Sequence, residues 1–88
     1  MSSADKIREI LTRRFSPVKL EVLDESAAHA GHGAQGGHFA VWIVSADFSG
    51  LKSIDRHRKI HEILDSEMKN EIHALRIRAL TPEESINS

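Results

Sequence analysis

Apolar side chains at Ile7, Ile10, Leu11 and Phe15 recur at three- and four-residue spacing. That pattern predicts a helix over about residues 4–15, capped by Ser2 or Ser3 and stopped by Pro17. The pattern then changes period. Val18-Lys19-Leu20-Glu21-Val22 alternates strictly and predicts a strand with one buried face, whereas His38 to Ser45 is apolar on both faces, as a central strand is. Phe48-Ser49-Gly50 reads as a turn. Beyond it Ser53 is the expected cap of a second helix bearing Ile60, Ile63, Leu64 and Met68 on one side, ending near Met68 or Lys69. From Ile72 to Leu80 alternation returns, with Leu75, Ile77 and Ala79 on one face and Arg76 and Arg78 on the other. Thr81-Pro82-Glu83-Glu84 has the cap, proline and acidic first turn of a short helix, in a chain too near its end to hold one unaided.

The order is therefore α-β-β-α-β, an α/β (α+β two-layer) fold. The first two strands pair as a hairpin, and the intervening helix makes a crossover to a parallel third strand, giving a three-stranded mixed sheet with its helices on one face. Residues 1–88 form one domain on this reading, with an ordered core over about 4–80 and a polar tail over 81–88. A chain of this length buries roughly 60–65% of its unfolded surface, so one small core is all it can build.

Composition narrows the chemistry more than the fold. There is no cysteine, so disulfides and thiolate sites are excluded and histidine and carboxylate are the strong ligands available. A formal charge of −1 gives no global drive toward nucleic acid. No run approaches the ~20 apolar residues of a membrane span, and residues 1–6 carry no apolar leader, so a cytoplasmic location without membrane contact is expected.

Between the hairpin strands, residues Ala28 to His38 hold three of the six histidines (His29, His32, His38) and four of the five glycines. Turns need glycine but do not need imidazoles, which are common ligands of zinc, copper and iron. A parallel third strand starts at the same end of the sheet as the second, so His73 is expected beside this loop. One loop imidazole plus His73 makes a candidate two-ligand site.

Leu20 to Ser26, His29-Ala30-Gly31-His32, His38-Phe39, Phe48-Ser49-Gly50, Arg56-His57-Arg58 and Ile72-His73-Ala74-Leu75 resemble, in order and spacing, the BolA family over roughly residues 5–84. The resemblance implies a fold similar to a type II KH domain without its Gly-x-x-Gly clamp. It also implies partnership with a monothiol glutaredoxin. The partner's cysteine and a glutathione thiolate would hold one side of a 2Fe-2S cluster, and this chain would ligate the other through His73 and His29, with His32 and His38 as alternatives. No cofactor is expected on the chain alone. Ser85 stands where the family often has Trp, and His61 where it often has an aromatic.

Bacterial members of the family are also described as transcriptional regulators. The alternative function is thus a DNA-binding regulator using Arg56, Arg58 and Lys59 of the second helix, aided by Lys6, Arg8, Arg13 and Arg14 of the first. Helix phase places His57 toward Ile60 and Leu64, as a packed, hydrogen-bonded histidine rather than a base reader. Trp42 is expected on the open face of the sheet, as a protein or homodimer contact or else covered by Lys and Arg stems. No enzyme is expected. There is no cysteine nucleophile, no placed Ser, His and Asp set, and no general base beside the histidines.

Overall fold

The computed structural model describes residues 2–26 and 37–86. Helix α1 spans Ser3–Phe15, strand β1 Lys19–Asp24 and strand β2 His38–Val44. A 3-10 turn over Ala46–Phe48 leads to α2 (Ser53–Ile63), α3 (Asp65–Asn70), β3 (Ala74–Leu80) and α4 (Pro82–Ile86).

The Ser2 hydroxyl accepts the Asp5 N–H at 3.1 Å and starts α1. The helix ends in a left-handed residue, Ser16 at φ 43°, whose N–H donates to the Thr12 carbonyl. Two expectations for the second helix are corrected. Its N-cap is Lys52, with no side-chain cap bond, in place of Ser53. It also breaks into α2 and α3 at Leu64, a fully buried residue whose ψ of 18° bends the chain while its side chain stays in the core.

β1 pairs antiparallel with β2 (Val22 opposite Val41), and β2 pairs parallel with β3 (Phe39 opposite Leu75), in sheet order β1-β2-β3. Alternation along β2 sends Phe39, Val41 and Ile43 to the helical side. There they join Ile7, Leu11 and Phe15 of α1, Ile60 of α2, Leu64, Phe48 and Ile72 in one cluster. Each such side chain contributes about 1.5–3 kcal/mol on full burial. Phe15 and Phe48 meet at 4.9 Å between ring centroids. Ser45 ties the layers together, because its buried hydroxyl donates to the Phe15 carbonyl at 2.7 Å and accepts the Asp47 N–H.

Residues 82–86, expected as polar tail, are helical because of a tertiary contact. The Thr81 hydroxyl and Glu84 carboxylate cap each other's N–H groups, and Glu84 also receives the guanidinium of Arg56. Among the described residues no helix is long and apolar enough to cross a membrane.

Candidate metal centre

The loop between β1 and β2 is closed at its base by short-range chemistry. Asp24 ends β1 and accepts the Ser26 N–H at 2.9 Å; hydrogen bonds from Ser26 hold its carboxyl below the usual range. The Ser26 hydroxyl oxygen in turn accepts the N–H groups of Gly37 at 2.8 Å and His38 at 3.2 Å, while the Glu25 N–H donates to the His38 carbonyl. The start of β2 is thereby fixed against the end of β1.

Its other side is fixed against β3. The Gly37 carbonyl accepts the N–H groups of both His73, at 2.7 Å, and Ala74, at 3.1 Å. Such close approach requires glycine. Gly37 has φ +94°, and a Cβ there would lie 2.3 Å from the Glu71 carbonyl oxygen. The Glu71 side chain forms an ion pair with Lys6, so α1 braces the turn that precedes His73. That carboxylate raises the Lys6 pKa.

The result is a histidine pair. His38, half-buried at the head of β2, and His73, exposed one residue before β3, have ring centroids 5.5 Å apart and planes inclined at 51°. Two imidazoles bound to one ion through bonds of ~2.0 Å at a near-tetrahedral angle have centroids roughly 5–6 Å apart, so the spacing fits shared ligation. His29 and His32 lie outside the described residues. Among the described residues no three His, Asp or Glu side chains gather into a metal cage.

The basic residues are placed differently from expectation. Arg56, read as a nucleic-acid contact, is 8% exposed and points into the protein. It donates to the Leu51 and Ala79 carbonyls at 2.9 and 3.0 Å and forms a two-pronged pair with Glu84. The reason is helix phase: residues 56 and 60 share the buried stripe, leaving His57 half-buried at its margin and, contrary to expectation, without a side-chain hydrogen bond among the described residues. Arg58 and Lys59 are exposed, with Arg58 3.8 Å from Asp55. In α1, Arg8 pairs with Asp5 and Arg13 with Glu9. Trp42 does lie on the open sheet face, under the Lys19 ammonium at 3.9 Å and the Arg78 guanidinium at 5.0 Å from its ring centre.

Gly37, Ser26 and Glu71 were given no role from the sequence. The available signal was weak: a serine two residues after a strand, and a glycine directly before one.

The chain is similar in sequence and fold to known proteins. A family model described as BolA-like protein matches residues 11–84. The chain is 45% identical over 87 residues to SufE-like protein 1, chloroplastic/mitochondrial, of Arabidopsis thaliana, covering 90% of this chain but spanning only 24% of that protein. It is 36% identical over 84 residues to the DNA-binding transcriptional regulator BolA of Haemophilus influenzae, covering 96% of this chain and 82% of the relative. The solved BolA domain of SufE1 from Arabidopsis thaliana superposes with a TM-score of 0.87 at 45% identity, covering 96% of this chain and 98% of that one.

Proposed function

This chain belongs to the BolA family, and from that premise we propose that it is a non-enzymatic partner protein. It docks a monothiol glutaredoxin and co-ligates a shared 2Fe-2S cluster through His73 and a histidine of the 28–38 segment, in iron-sulfur trafficking or iron sensing. The carrying observation is the His38–His73 pair, 5.5 Å apart at one end of the sheet. The second ligand is His29 in the loop, or His32 or His38 in its place. The chain's own residues act as holders: Gly37 anchors the His73 backbone, and Ser26 anchors that of His38. When bound, a cluster with two imidazoles on one iron has a higher reduction potential than one held by thiolates alone.

The test is anaerobic reconstitution of iron and sulfide with a monothiol glutaredoxin and glutathione, with and without this chain, followed by visible absorption and circular dichroism. The mixed complex is expected to give a spectrum distinct from the glutaredoxin homodimer's, and His73→Ala to change it. An identical spectrum from His73→Ala overturns the ligand assignment.

A second reading, regulation through DNA, is supported by the name of the Haemophilus relative and by the exposed Arg58 and Lys59. Arg56 has no part in it, being buried. This reading expects binding that weakens with salt and with Arg58→Ala or Lys59→Ala. Binding that responds to neither counts against it.

A further inference from the structure

The turn that delivers His73 is fastened on two sides by different chemistry. Its inner side is apolar and backbone: Ile72 is buried in the core, and the His73 and Ala74 N–H groups both donate to the Gly37 carbonyl. Its outer side depends on one side chain. Glu71 follows α3, a six-residue helix with no fully buried side chain, and its carboxylate reaches Lys6 of α1, 65 residues away in the sequence.

The two oxygens of that carboxylate are treated unequally. Oε1 takes the Lys6 ammonium, whereas Oε2 is buried and has no hydrogen-bond partner among the described residues. A carboxylate oxygen withdrawn from water is costly unless a cation compensates it, and Lys6 is the cation paired with Glu71 among the described residues. Without that ammonium the carboxylate gains by turning out toward solvent. Glu71 cannot do so in isolation, because its own carbonyl oxygen lies where a Cβ on Gly37 would be only 2.3 Å away. Movement of Glu71 is thus passed to the Gly37 contact and to His73, two residues further on.

We propose that Lys6 and Glu71 are positioning residues of the candidate metal centre: their ion pair fixes the turn that holds the His73 ring 5.5 Å from the His38 ring. This rests on the reading of His73 as a cluster ligand. Both side chains are partly exposed, at 40% for Lys6 and 32% for Glu71, and pairs so placed add little to global stability. The effect is local. It falls on the segment between α3 and β3, where a small displacement changes the direction in which an imidazole is offered to an ion.

Nuclear magnetic resonance of the full chain without metal tests the positioning directly, with the His38 ring as the ruler. K6M removes the cation and keeps an apolar stem. Amide hydrogen exchange at Ile72, His73 and Ala74 is expected to become about fivefold faster, as for a local opening that loses one charge-assisted bond, while Val41 and Ile43 of β2 keep their rates. The nuclear Overhauser contact between the His38 and His73 rings should be lost. K6M/E71Q should recover both readouts toward wild type, since a neutral amide no longer demands a cation. Reconstituted with a monothiol glutaredoxin, glutathione, iron and sulfide, K6M should give an altered visible circular dichroism spectrum and the double variant one closer to wild type. Unchanged exchange and ring contact in K6M, equal acceleration of the Val41 and Ile43 amides, or a double variant no better than K6M overturns the proposal. A wild-type chain that keeps its ring contact but gives no mixed-complex spectrum overturns the cluster reading, and with it the use of the pair. The two failures are told apart because the ring contact is read on the chain alone.

Discussion

At the residue scale, two backbone positions decide more than their side chains suggest. Gly37 combines positive φ with a carbonyl oxygen 2.3 Å from where a Cβ would sit. Gly37→Ala is therefore expected to cost roughly 1–3 kcal/mol, and more if the β3 turn cannot move aside. In thermal unfolding followed by circular dichroism, a domain of this size loses about 4–8 °C per kcal/mol. The same variant displaces the turn that presents His73, so it should alter the spectrum of a reconstituted mixed complex as well. Ser16 is the converse case, a side chain occupying the left-handed position that closes α1. Ser16→Gly removes that steric conflict and is expected to raise the melting temperature, by about 0.5 kcal/mol after allowance for the freer unfolded chain. A lowered melting temperature would show that Ser16 contributes contacts beyond its backbone angle.

At the element scale, Arg56 is the link that a pattern of apolar residues does not show. A single guanidinium joins α2 to the Leu51 turn, to the end of β3 and to α4. Arg56→Ala takes the guanidinium donor from two carbonyls and leaves the Glu84 carboxylate with only the Thr81 N–H, and should destabilise the fold by roughly 2–4 kcal/mol, measured by denaturant unfolding. Proteolysis should then cut first within residues 82–86, since α4 has only five residues and no buried side chain to hold it. Glu84→Gln keeps the shape of the side chain and weakens the pair, so it should release α4 with a smaller loss of global stability.

For the whole molecule, ion pairs frame the range of pH over which the fold is most stable. Arg56 and the Thr81 N–H hold Glu84 down to about 2 from its ordinary 4.5. Asp5 and Asp24 are also lowered, through hydrogen bonds from Ser2 and Ser26 respectively. For each, the folded value lies below the unfolded one, so the stabilisation is complete above the unfolded value and disappears as pH falls toward the folded one. Stability should decline between about pH 4.5 and 2, and Glu84→Gln should flatten that decline. Lys6 works in the other direction: Glu71 raises it above 10.5, so its contribution holds through neutral pH and is lost only above that value. Urea unfolding across pH measures both limbs. The sequence alone was enough for the first helix, the three strands in their order, the parallel crossover and the placing of His73 beside the head of β2, because hydrophobic period and the handedness of crossovers are local or topological rules. It also held the resemblance to BolA-like proteins that the comparisons then bore out. The role of Arg56, the order in α4 and the break at Leu64 were settled only by tertiary structure, since each depends on groups far apart in the chain: Arg56 meets carbonyls and a carboxylate up to 28 residues away. Spacing marks which side of a helix is apolar, but it does not mark an arginine that becomes buried because carbonyls and a carboxylate await it there.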